Sequence, residues 1–227
     1  MADNLASRVE LIRANLLPSL SDIGRGIEKE GLRVDQSGFI AHTEHPEALG
    51  KALTHGQITT DYSEALLELI TPVYHSSGSV IHQLKDIHTF VQKQLQSEVL
   101  WAGSMPCRLA GDNSIPIAEY GNSHLGKLKN VYRQGLSVRY GRMMQSIAGM
   151  HYNFSLPDSF WTGWQAVLGD EKPLKDFKSE QYFSLIRNFR RHSWLIMYLF
   201  GASPALDASF VEGKPHNLQA HLKNTLM

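Results

Sequence analysis

Two glutamates one residue apart, Glu28 and Glu30, stand at the centre of the stretch Gly-Arg-Gly-Ile-Glu-Lys-Glu-Gly-Leu-Arg-Val, Gly24–Val34. Alternate side chains of a β-strand share a face, so the two carboxylates would point the same way, one pleat apart. At that spacing they repel unless a cation or a basic side chain stands between them. A charged strand edge that blocks edge-to-edge pairing would give the same pattern. Glycines at 24, 26 and 31 weigh towards a site, because they weaken a strand while allowing close backbone approach.

A second acidic group follows: Asp61, Glu64 and Glu68. Taken alone it reads as exposed charge on a half-buried element. Glu68, however, lies inside Leu66-Leu67-Glu68-Leu69-Ile70, and a carboxylate in so apolar a run needs a partner, because burying an unpaired charge is costly. The third group is Gly149–Pro157. As a strand it places His151, Asn153 and Ser155 on one face and the apolar Tyr152, Phe154 and Leu156 on the other, which belongs to a core. A lone histidine is usually structural; a His-x-Asn-x-Ser face is less easily dismissed. Together Glu28, Glu30, Asp61, Glu68 and His151 offer four carboxylates and an imidazole. Hard oxygen donors of this kind suit Mg²⁺ or Mn²⁺, and Mg²⁺ commonly bridges carboxylates to nucleotide phosphates. The sequence has no P-loop, dinucleotide-binding glycine fingerprint or HExxH, so any nucleotide would be held through metals on a sheet.

The elements that must position these groups are legible in outline. Leu5, Val9, Ile12 and Leu16 give a helical spacing that stops at Pro18. Gly24–Val34 is a strand, and Asp35–Gly38 a turn into a short returning strand at Phe39–Ala41. Pro46–Leu53 reads as a short helix. Ile58–Thr71 mixes strand and helix signals; its second part is assigned to strand because Glu64, Leu66, Glu68 and Ile70 alternate with Ala65, Leu67 and Leu69. Ser79–Leu100 is an amphipathic helix with Val80, Leu84, Ile87, Val91 and Leu95 as its stripe and Ser77 or Ser79 as its cap. Leu128–Ala148 is helical, Gly149–Leu156 a strand, Asp158 the cap of a short helix, and about Glu180 to Phe200 a long helix. Without a βαβ rhythm, the pattern favours a mostly antiparallel α+β sheet.

Composition narrows the function classes. The 227 residues suit one large domain or two small ones. Net charge is zero, with no basic excess to form a nucleic-acid footprint. No apolar run is long enough for a bilayer, and the first residues lack a signal peptide's basic start, so a cytoplasmic, non-membrane protein is expected. The single cysteine, Cys107, forms no internal disulfide and has no assigned role; a structural thiol is expected.

Several motifs, in order, resemble the proteobacterial type of glutamate–cysteine ligase. They are Arg25–Val34, His45-Pro46-Glu47-Ala48-Leu49-Gly50, Leu53-Thr54-His55 and Ile58–Glu68 with Ile70-Thr71-Pro72. They continue with Ser104-Met105-Pro106-Cys107, Tyr132-Arg133-x-Gly135-Leu136, Arg139-Tyr140-Gly141, His151–Pro157 and Tyr198–Pro204. The resemblance implies a glutamine-synthetase-like fold, an antiparallel sheet curved into a funnel with helices outside. It also implies ATP-dependent joining of the γ-carboxylate of glutamate to the amine of cysteine through a γ-glutamyl phosphate, the first step of glutathione synthesis. Motif matching puts the Mg²⁺ ligands on Glu28, Glu30, Asp61, Glu68 and His151, and a pocket for the cysteine side chain on Tyr62, Tyr132, Leu136 and Gln145.

Members of that family are much longer than this chain, and the residues after about 215 fit its pattern poorly. The expectation is therefore one N-terminal part of a ligase catalytic domain over 1–227. Further strands, another metal-binding glutamate and substrate-holding arginines would lie outside it. A funnel lacking part of its wall should expose apolar edges, giving little ligase activity and self-association through open strands. The alternatives are another carboxylate–amine ligase on the same scaffold, or a non-catalytic metal- or nucleotide-binding remnant.

Overall fold

The computed structural model describes residues 5–201 and 205–227; the Ala202-Ser203-Pro204 part of the last motif lies outside them. Helix α1 (Leu5–Asn15) comes first and gives way to a 3-10 turn at Leu17–Asp22 with Pro18 at its start. Proline is tolerated there because the first amides of a helix have no acceptor. Strand β1 (Gly24–Val34) has the bounds that its sequence suggests. Asp35 then accepts the amides of Ser37 and Phe39 (2.8 and 3.0 Å) and turns the chain. The return is a single bridge, Val34 to Ile40, rather than a strand. The helix expected at Pro46–Leu53 is one 3-10 turn, Glu47–Leu49, ended by Gly50 at φ 79°.

Strands β2 (Ile58–Thr60) and β3 (Leu66–Ile70) follow, then helix α2 (Ser77–Gln94) and strand β4 (Val99–Leu100). The cap of α2 is Ser76, one residue before the nearer of the two expected positions; its hydroxyl accepts the Ser79 amide. Helix α3 (His124–Tyr140) is shorter than expected, because Gly141 at φ 78° ends it. Strand β5 (Met150–Ser155), helix α4 (Asp158–Leu168) and helix α5 (Leu174–Phe200) complete the main part of the chain. Asp158 is the first residue of α4, and the cap position is Pro157, with no side-chain bond. Helix α5 starts at Leu174, six residues before Glu180, where the long helix was expected to begin. Three short strands, β6 (Leu206–Asp207), β7 (Ala220–Leu222) and β8 (Thr225–Leu226), close the described chain. Among the described residues no helix is long and apolar enough to cross a membrane.

These elements form two compact units. One contains α1, α4 and α5 around Leu16, Phe160, Trp161, Trp164 and Phe177. Gly163 leaves room in it: a Cβ there would stand 2.5 Å from Leu16 Cδ2, so the leucine side chain would have to shift. The other unit holds the sheet, ordered β2-β3-β1-β4, with β5 also paired to β1 and a separate β6-β8-β7 sheet. The pairs β1–β3, β1–β4 and β2–β3 are antiparallel. This α+β architecture is the fold class expected.

Sheet alternation divides the core. Ile27, Ile58, Leu67 and Leu69 pack on Val80, Leu84, Ile87, Val91 and Leu95, the stripe of α2. The opposite face carries Leu32, Val34 and Leu66 into a second cluster with Ile40, Tyr62, Cys107 and Ile115. The expectation that Tyr152 and Phe154 face a core does not hold: they are 59% and 43% exposed. The whole of β5 is exposed, so alternation along it does not separate inside from outside.

Candidate functional site

Antiparallel pairing of β1 with β3 sets Glu30 directly opposite Glu68 and Glu28 opposite Ile70. Residues paired across a sheet project from the same face, so Glu28, Glu30 and Glu68 form one acidic surface. Lys29 projects from the other face, towards the α2 side; burial lowers its pKa, and burial, then the charge of Lys29, lowers that of the half-buried His88. The lysine between the two glutamates in sequence thus does not stand between them in space.

Strand β5 brings the remaining groups. His151 Nδ1 lies 3.1 Å from Glu28 Oε2, and its Nε2 lies 3.8 Å from Glu30 Oε1. Asn153 Nδ2 donates to Glu28 Oε1 at 2.8 Å. Glu30 is pinned at both ends by one residue: its amide donates to Gly149 O at 2.9 Å, and its carboxylate accepts the Gly149 amide. Asp61 sits in the tight turn between β2 and β3, its amide donating to Leu66 O at 3.0 Å.

The electrostatics follow from this placement. The Asn153 and His151 hydrogen bonds hold the Glu28 carboxyl below its ordinary pKa. Burial raises Glu30, and the charge of Asp61 adds to it. Burial also raises Glu68, reinforced by Asp61, Glu28 and Glu30. The bond to Glu28 raises His151, with help from Glu30 and Glu68. All five predicted ligand residues therefore interact, and the group carries an excess of negative charge.

Its donor chemistry fits a hard divalent cation. Yet among the described residues no three His, Cys, Asp or Glu side chains stand in an arrangement ready to hold a metal ion. The His151 ring bonds Glu28 and reaches towards Glu30, so an imidazole stands between the two carboxylates.

The other predicted residues are placed differently from one another. Tyr62 is 1% exposed in the sheet's second core cluster, and burial raises the pKa of its hydroxyl. Leu136 packs against the same cluster, whereas Tyr132 is 63% exposed on α3. Gln145 is half-buried in the turn after α3, its amide donating to Arg142 O. Glu64 serves as a clamp and not with the acidic face: its two oxygens accept the amides of His45 and Glu119, at 3.0 and 2.8 Å. It borders a cavity of about 680 Å³ also lined by His42, His45, Lys51 and Tyr120. Asn153 was legible from the alternation of its strand; Gly149, which grips Glu30, carried no such mark.

Residues 9–227 match the family model for glutamate–cysteine ligase. The chain belongs to the glutamate–cysteine ligase family. It is 62% identical, along its full length, to glutamate–cysteine ligase of Hahella chejuensis, and 56% identical over 96% of its length to that of Pseudomonas putida. It covers 43% and 42% of those two proteins, so the chain spans about two fifths of the curated relatives. The crystal structure of glutamate–cysteine ligase from Francisella tularensis in complex with AMP superposes with a TM-score of 0.82 at 38% identity. That match covers 90% of this ligase-family chain and 40% of the other. A bifunctional glutathione synthetase from Pasteurella multocida gives 0.79 at 30% identity, over 90% of this chain and 26% of its own.

Proposed function

We propose that this chain carries the N-terminal part of the catalytic domain of an ATP-dependent ligase that joins the γ-carboxylate of glutamate to the amine of cysteine, in the cytoplasm, as the first step of glutathione synthesis. The observation that carries the reading is the Glu30–Glu68 register, which gathers carboxylates on one open face of a sheet. Family membership and the AMP bound by the Francisella relative support a nucleotide-dependent reaction.

A carboxylate is a poor electrophile. Transfer of the γ-phosphoryl group of ATP to the glutamate side chain releases ADP and leaves an acyl phosphate. The cysteine amine then attacks that carbonyl carbon, phosphate departs with the electrons of the C–O bond, and the new amide nitrogen loses a proton. Glu28, Glu30, Asp61, Glu68 and His151 would hold Mg²⁺, or Mn²⁺, whose chemistry when bound is to neutralise the phosphates. Asn153 orients Glu28, and the Gly149 amide orients Glu30. The bond to Glu28 raises the pKa of His151, which favours its protonated form beside the acidic face. Tyr62, Tyr132, Leu136 and Gln145 are assigned to the cysteine side chain.

The open edge of β2 and the exposed β5 favour self-association. The same exposure favours little turnover by these 227 residues alone. Calorimetry with Mg²⁺ and ATP tests the assignment: wild type should bind the pair, and Glu28→Gln should not. Equal binding by both proteins would make the acidic face structural. Formation of γ-glutamylcysteine by the 227-residue chain at the rate of a full-length relative would refute the low turnover.

A further inference from the structure

Arg133 is buried, 9% exposed, yet among the described residues no carboxylate lies within ion-pair distance of it. Burying an unpaired charge is costly unless other groups satisfy it. Its partners are backbone carbonyls and a ring. Nε donates to Asp61 O, Nη1 donates to Lys129 O at 3.0 Å, and the guanidinium lies 4.7 Å from the centroid of Tyr120. Planarity and a fixed fork of donors make arginine the side chain suited to this combination.

Tyr120 is held in turn. Its hydroxyl donates to Thr60 O at 2.8 Å and accepts from Thr60 Oγ1 at 3.0 Å, and the residue is 8% exposed. Next to it the Ala118 amide donates to Tyr62 O at 3.0 Å, and Asn130 of α3 donates to Ala118 O at 3.0 Å. The carbonyls of Thr60, Asp61 and Tyr62 are therefore each gripped from the segment 118–133. Asp61 lies in the turn after β2 with its amide bonded to Leu66 O, and the Arg133 bond fixes the other side of its main chain, the carbonyl.

We infer that Arg133, stacked on Tyr120, is a positioning residue for Asp61: it fixes the Asp61 main chain and so aims the carboxylate at the acidic face. It also ties that face to α3, where Tyr132 and Leu136 flank it. The inference deepens the proposed function and rests on it for the role of Asp61 as a cation ligand.

The test uses the 227-residue protein with Mn²⁺ alone, measuring free ion by electron paramagnetic resonance and amide exchange by mass spectrometry. Arg133→Ala should weaken Mn²⁺ binding by about 10–100-fold, as loss of an outer-shell partner does. It should also speed exchange at residues 61–66 while leaving α2 unchanged. Arg133→Lys, which keeps the charge but loses the fork, should not restore binding. Tyr120→Phe keeps the ring and guards against a failure to fold, and should show the same change at smaller amplitude. Asp61→Asn should weaken Mn²⁺ without faster exchange. The inference is overturned if Asp61→Asn loses Mn²⁺ affinity while Arg133→Ala does not, or if exchange in 61–66 stays as in wild type. Should wild type bind no Mn²⁺, the cation reading fails on its own, and the exchange result alone then upholds or overturns Arg133 as the residue that positions Asp61.

Discussion

Glu30 and Glu68 stand directly opposite each other on antiparallel strands, both raised in pKa by burial and then by the charge of Asp61. Like charges in that relation weaken a sheet. Replacing Glu68 with Gln should therefore stabilise the unliganded protein by roughly 0.2–1 kcal/mol, seen as a higher urea midpoint, while lowering its affinity for Mn²⁺. A lower midpoint would mean that the Glu68 carboxylate makes a stabilising bond.

Arg33 is fully buried and reaches Glu98 Oε2 at 2.8 Å, Thr43 O at 2.7 Å and Glu64 O at 3.1 Å. Arg33→Met strands the Glu98 charge, for which a loss of about 3–5 kcal/mol is typical. Adding Glu98→Leu should recover much of it. Urea unfolding of the single and double variants measures both, and no recovery would show that the cost lies in packing instead.

Burial, then the nearby charge of Arg33, lowers the pKa of His45. A group depressed in this way stays neutral in the folded protein while the unfolded chain takes up the proton. Stability is then lost as pH falls through the ordinary value of 6.5. His88, lowered mainly by burial, acts in the same direction, whereas His151, raised by Glu28, acts in the opposite one. His45→Gln should reduce the drop in urea midpoint between roughly pH 7.5 and 5.5. An unchanged drop would assign the effect to the other histidines.

Burial pushes the Cys107 thiol up to about 12. The thiolate is the reactive form, so Cys107 should resist alkylation in the native protein and react once urea unfolds it. Because the folded pKa is raised, the stabilising contribution is complete below the ordinary value of 9.0 and disappears as pH rises towards 12. Mass-spectrometric counting of labelled protein decides this; fast labelling without denaturant would place the thiol at the surface.

How far the sequence foretold this arrangement depended on whether a residue acts through its own strand or through a distant loop. Alternation placed Glu28 with Glu30, and Glu68 with Leu66, because period two is a property of the strand itself. The stripe of α2 was legible for the same reason at helical period. Glu64 shares the alternation of Glu68 but spends its carboxylate on the amides of His45 and Glu119, loops that no local pattern connects. Arg133 and Tyr120 are likewise joined to Thr60 and Asp61 only by the fold. Tyr152 and Phe154 had the pattern of a buried face, but periodicity cannot say whether anything covers it.

The acidic face also has an order of assembly. Glu28, Glu30 and Glu68 meet through the pairing of β1 with β3, all within residues 28–70. The bonds from His151 and Asn153 to Glu28 span 123 and 125 positions. At synthesis rates of roughly 5–20 residues per second, the carboxylates leave the ribosome several seconds ahead of their imidazole. Gly149, bound to Glu30 through both its N–H and its C=O, is where that interval closes.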